Sequence, residues 1–139
     1  MIPVRARKKL SICLVDEDRL GRWNLANVLD NMDTYIPIVC SNFYELIDEY
    51  VCYTLKGLPN FIISEWYKEF VDPDFLNIFS GSPLATIPII ILTDANRAES
   101  VKPPHEMNII GTLAKPVCRK DLKEILTSYL KHKNAEEND

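Results

Sequence analysis

The chain has 139 residues, a length that suits one domain with a sizeable core. Hydrophobic residues make up 47% and charged residues 26%, an ordinary globular balance. The net charge of −4 argues against a general nucleic-acid or anionic-membrane binder, which would need a basic surface. No apolar run reaches the length of a membrane span.

Residues 1–9 end in a short basic stretch, RARKK, which reads as a solvated lead-in to the first strand. The apolar run behind it is too short, and too closely followed by acids, for a signal peptide, so the expected location is cytoplasmic. LSICLV at 10–15 predicts strand one, and Asp16, Glu17 and Asp18 follow it at once. Leu25, Val28, Leu29 and Met32 recur at i, i+3, i+4 and i+7, one face of a helix. YIPIVC at 35–40 predicts strand two. Phe43, Leu46, Ile47, Tyr50 and Val51 share the next helical face, with Asn42 and Glu45 spaced as a capping box.

FIIS at 61–64 predicts strand three, ending at Glu65. Asp72 is a cap with Pro73 at the first helical position, and Phe75, Ile78 and Phe79 are expected on one face. IPIIIL at 87–92 predicts strand four, with Thr93 and Asp94 behind it. The next segment, NRAESVKPP at 96–104, is a weak helix cut short by Pro103 and Pro104. GTLA at 111–114 predicts strand five, before Lys115 and Pro116. Leu122, Ile125, Leu126 and Tyr129 form the last helical stripe, and the polar residues 133–139 are expected to fray.

These strands are continuous apolar runs rather than alternating ones, the pattern of strands buried on both faces. Five strand–helix repeats predict a doubly wound α/β fold, a parallel sheet with helices on both faces and right-handed crossovers. The expected domain covers 10–132, with no linker and no second domain. Cys13, Cys40, Cys52 and Cys118 form no CxxC pair, so neither disulfides nor zinc are expected; Cys13 reads as a small buried hydrophobe.

In such a sheet function sits at the carboxyl ends of the strands. Asp16, Glu17, Glu65, Thr93 and Lys115 all fall there. Their settings, LVDED, PNFIISE, IPIIILTD and GTLAKP, resemble in order the motifs of the receiver domain of bacterial two-component response regulators. The resemblance covers 10–131, nearly the whole chain. It implies a flavodoxin-like, five-stranded sheet in the order 2-1-3-4-5. It also implies a phosphotransfer site, in which an aspartate after strand three takes a phosphoryl group from a histidine kinase. Asp16 and Glu17 then match the acidic pair that holds Mg²⁺, a hard cation that prefers carboxylate oxygens. Thr93 and Lys115 match the hydroxyl and lysine that bind phosphoryl oxygens.

The centre of the pattern departs. The acceptor position holds Glu65, whose extra methylene moves the carboxylate by about 1.5 Å. In-line transfer is sensitive to such displacement: an error of about 1 Å costs on the order of 10²-fold. The proline and glycine usual after the acceptor are replaced by the bulk of Trp66 and Tyr67, and the aromatic switch position holds Thr112.

Each site residue also has a plainer reading. Acids after strand one suit a helix N-terminus as well as a metal. Lys115 suits a structural ion pair with Glu65, and Thr93 suits a turn cap. Trp66 and Tyr67 suit either a partner or a cover for the sheet end, and His105 receives no role. The carboxylates repel one another, so Lys115, a cation or a raised pKa must compensate.

The sequence therefore predicts an atypical single-domain receiver, or pseudo-receiver, that is not an enzyme. It signals by protein–protein contact, as monomer or homodimer, with a histidine kinase or a downstream regulator as partner. By the same resemblance, the expected contact face is the one around the fourth helix, strand five and the fifth helix. The alternative is a working phosphorelay acceptor using Glu65, with Mg²⁺ at Asp16 and Glu17. A flavodoxin-like cofactor binder would need a Ser/Thr/Gly-rich phosphate loop where this chain has DEDRLGR.

Overall fold

The computed structural model describes residues 10–16, 18–30, 32, 35–40, 42–52, 58–93 and 104–137. Five strands, β1 (Leu10–Val15), β2 (Tyr35–Cys40), β3 (Phe61–Glu65), β4 (Ile89–Thr93) and β5 (Ile109–Ala114), form one sheet in the order β2-β1-β3-β4-β5. Every neighbouring pair is parallel. The helices are α1 (Arg19–Asp30), α2 (Phe43–Cys52), α3 (Pro73–Ser80) and α4 (Arg119–Glu137).

Side chains alternate across the sheet because a strand has a period of two. Cys13, Val15, Ile62, Ile89 and Ile91 point to one face, where Phe43, Leu46, Phe75 and Phe79 cover them from α2 and α3. Ile12, Leu14, Phe61, Ile63, Ile90 and Leu92 point to the other, under Leu25 and Leu29 of α1 and Leu122 and Leu126 of α4. The continuous apolar runs in the sequence follow from this two-sided burial.

The helix starts carry the expected caps. The Asn42 side chain accepts from the Glu45 N–H at 2.8 Å, and Asp72 accepts from the Asp74 N–H at 3.0 Å with Pro73 in the first turn.

Four local features differ from the sequence expectation. Ile78 is 54% exposed, because α3 has only eight residues and Phe75 and Phe79, four apart, take its inward stripe. Two short 3-10 turns, Lys68–Val71 and Pro83–Thr86, were not anticipated; the second is capped by Ser82, which accepts from the Leu84 N–H. β5 begins earlier than the apolar run suggested, and β4 both begins and ends later, which makes Thr93 the last residue of its strand rather than a loop residue. Finally, α4 continues to Glu137, through residues expected to fray, since Lys, Ala and Glu favour helix and no Gly or Pro interrupts them. The weak helix at 96–104 falls outside the described residues up to 103, as does the 1–9 lead-in. Among the described residues no helix is long and apolar enough to cross a membrane.

Candidate functional site at the carboxyl edge of the sheet

Parallel strands bring all their carboxyl ends to one edge. In register, Val15 pairs with Ser64, Glu65 with Leu92, and Thr93 with Ala114. Each chemically distinctive residue follows, or is, the last residue of its strand.

Asp16 is fixed from several directions. Its N–H donates to the Cys40 carbonyl at 3.3 Å, which keeps the chain extended one residue past β1. Its Oδ1 accepts from the Asp18 N–H at 2.8 Å, and its side chain is only 2% exposed. Asp18 in turn caps α1, its Oδ1 accepting from the Leu20 N–H at 3.2 Å. Of the acids after β1, Asp18 thus takes the helix-start role. Glu17, the second residue of the expected metal pair, lies outside the described residues.

Lys115 comes from the other side of the edge. Its N–H donates to the Thr93 carbonyl at 2.9 Å, and its peptide bond to Pro116 is cis. Its ammonium donates to Asp16 Oδ2 at 3.4 Å and, in close contact, to Glu65 Oε1. One ammonium therefore serves two carboxylates from different strands. The lysine and Glu65 side chains are each 28% exposed, so this is a partly desolvated ion pair. Removing one partner from such a pair leaves a charge that is costly to keep out of water.

Thr93 is 5% exposed, and among the described residues its hydroxyl has no hydrogen-bond partner. The turn that Thr93 would cap, from residue 94 onward, lies outside the described residues. A buried hydroxyl without a partner carries a desolvation cost. Thr112 is exposed on β5 and takes no part in the contacts of the carboxylate cluster.

Trp66 and Tyr67 turn toward the core. Both meet the Phe70 ring edge to face, with centroids 5.3 and 5.6 Å away, and so roof the end of β3. His105 is an exposed loop residue whose Nδ1 lies 2.8 Å from Glu106 Oε1.

The described donors do not by themselves make a divalent-cation site. Among the described residues no three His, Cys, Asp or Glu side chains gather as ligands. Asp16 and Glu65 converge on the Lys115 ammonium instead, and a hard cation wants several oxygens free to face it. The Mg²⁺ expectation at Asp16 and Glu17 accordingly finds no support from the described half of that pair.

Sequence reasoning overlooked Gly21, in the first turns of α1. A Cβ there would fall 2.6 Å from Asp16 Oδ2 and 3.3 Å from Asp18 Oδ2. The glycine lets α1 begin directly against both carboxylates. An isolated glycine inside a helical stripe costs about 1 kcal/mol against alanine, which was the available signal that something packs there.

No protein-family model matches the chain, and no curated protein does. Solved structures do match. One is a response regulator receiver modulated diguanylate cyclase from Pelobacter carbinolicus, 21% identical, covering 94% of this chain and 99% of that one at a TM-score of 0.63. Another is a response regulator receiver domain protein from Clostridium thermocellum, 18% identical, covering 91% and 98% at 0.67. A response regulator from Desulfuromonas acetoxidans is 25% identical, covering 88% and 97% at 0.59. The chain has the fold of response regulator receiver domains.

Proposed function

We propose that the protein is an atypical receiver that serves signal transduction through protein–protein contact, with Glu65 as a structural residue rather than a phosphoryl acceptor. The observation that carries this reading is the Lys115 ammonium bound by both Glu65 and Asp16. In a phosphotransfer site the lysine must be able to turn to a phosphoryl oxygen, and the acceptor carboxylate must be placed for in-line attack. Here the longer Glu65 side chain reaches the lysine itself. Asp16, the buried carboxylate, gains the same counter-charge without a metal.

Two further features support a fixed conformation. Thr112 offers no aromatic ring to swing at the switch position. Trp66 and Tyr67 pin the segment after β3 to Phe70. The partner in this reading is a histidine kinase or a downstream regulator, reached through β5 and the neighbouring face of α4. The protein itself is not an enzyme, acts in the cytoplasm, and works as a monomer or homodimer.

The competing reading is a phosphorelay acceptor that uses Glu65 with Mg²⁺. Incubation with acetyl phosphate and Mg²⁺, followed by intact-protein mass spectrometry, separates the two. The proposal expects no phosphoryl adduct, and no rise in melting temperature with Mg²⁺ alone. An adduct that disappears in Glu65→Gln would overturn it.

A further inference from the structure

A cavity of about 230 Å³ lies on the α2 and α3 side of the sheet, and none of Asp16, Glu65 and Lys115 lines it. Its walls are Asn42, Phe43 and Tyr44 at the start of α2, and Tyr67, Glu69 and Phe70 from the segment between β3 and α3. Its volume falls below the range of about 300–1,000 Å³ for drug-sized ligands, so it suits a compact head group.

Four of these six residues are aromatic, and their rings are braced. Phe43 and Phe70 are buried and meet at 81° with centroids 5.1 Å apart. Tyr67 stands at 89° to Phe70, 5.6 Å away, and Tyr44 leans on Phe75 at 83° and 5.6 Å. The backbone is fixed as well. Asn42 caps α2 through the Glu45 N–H at 2.8 Å, and the Phe70 N–H donates to the Tyr67 carbonyl at 3.0 Å. Walls that hold their shape before a ligand arrives lower the ordering cost of binding.

Two separate features of the lining favour a cation. An aromatic face carries partial negative charge and attracts a cation within about 6 Å of its centroid. Rings at right angles around one space offer it faces as well as edges. The second feature is Glu69, which is half-buried and forms no ion pair among the described residues. A carboxylate partly removed from water without a counter-charge is costly, and a cation beside it relieves that cost. A primary ammonium is strongly hydrated and enters reluctantly. A quaternary ammonium spreads its charge over apolar methyl groups, which pack against the rings.

We infer that this cavity binds a quaternary ammonium head group, seated among Phe43, Tyr44, Tyr67 and Phe70 with Glu69 as its counter-charge. The site is independent of whether Glu65 accepts a phosphoryl group. Occupancy would join the start of α2 to the turn after β3, giving the domain a chemical input that requires no kinase.

The test titrates two quaternary probes into the full chain, followed by backbone amide NMR. Choline stands for a free solute and N-acetyl-trimethyllysine amide for a modified protein side chain. Their controls are 3,3-dimethylbutan-1-ol, the neutral isostere of choline, and unmethylated N-acetyl-lysine amide. At least one quaternary probe should produce saturable shifts at Tyr44, Tyr67 and Glu69, and the tighter of the two names the source. Its control should bind about tenfold more weakly. Glu69→Gln removes the counter-charge and Tyr44→Ala removes a wall, so each should weaken that probe by about fivefold or more. Neither side chain belongs to the buried core, and the probe series on the unaltered protein still decides if one variant fails to fold. No saturation by either quaternary probe, a control that binds as well as its counterpart, or an unchanged affinity in either folded variant would overturn the inference. The phosphodonor experiment reads Glu65 alone, so the two proposals fail separately.

Discussion

The two faces of the sheet are built from different chemistry. Under α2 and α3 lies an aromatic cluster in which Phe70 meets Phe43, Trp66, Tyr67 and Phe75 at centroid distances of 5.1 to 5.6 Å. Under α1 and α4 the core is mainly aliphatic and opens, at the carboxyl edge, into a cleft beside Asp16. Interlocked rings with few rotamers resist rearrangement. The contrast points to where movement can occur: the segment after β3 is held by the aromatic side, while the start of α1 and the turn after β5 face each other across Lys115 and an open trough.

The largest effect should come from breaking the aromatic side. Phe70 is fully buried, and Phe70→Ala should cost about 3–5 kcal/mol in chemical denaturation. That change should also free Trp66, visible as a shift in its fluorescence. A loss below about 1 kcal/mol would mean that the cluster does not anchor the segment after β3.

Next comes the lysine. Lys115→Met removes the counter-charge from Asp16 and Glu65 and should cost about 2–3 kcal/mol, less than a fully buried pair because two of the three side chains are partly exposed. Glu65→Asp is milder. The shorter side chain withdraws from Lys115 but leaves Asp16 in place, so about 1 kcal/mol is expected in the same assay. The variant should still take no phosphoryl group from acetyl phosphate, because Trp66 and Tyr67 keep their packing. The smallest effect is a gain: Thr93→Val removes a buried hydroxyl that has no partner among the described residues and should stabilise the protein by up to about 1 kcal/mol. Destabilisation by Thr93→Val would mean that the hydroxyl has a partner after all.

Much of this comparison could be read from the sequence, and the limits have physical causes. The strands were legible because burial on both faces leaves continuous apolar runs, and a parallel sheet then sends Asp16, Glu65, Thr93 and Lys115 to one edge. The pairing of Lys115 with Glu65 was legible too, as a charge-balance argument. Phe70 was not: it sits in a 3-10 turn between Glu69 and Val71, and four residues are too few to show a period. The cleft was not legible either. A void depends on how two elements distant in sequence approach, and Leu20 and Val117 look like ordinary surface apolar residues until α1 and the turn after β5 are set side by side. Ile78 failed for a related reason, since a helical stripe gives the apolar face but not which of its edges meets the neighbouring element.

The central claim is that Glu65 and Lys115 act as a pair that holds one conformation. A double-mutant cycle on Glu65→Gln and Lys115→Met, read by chemical denaturation, tests it most directly. The account predicts a coupling energy of about 1 kcal/mol or more, with the double variant more stable than the sum of the single losses implies. Additivity within about 0.3 kcal/mol would contradict it.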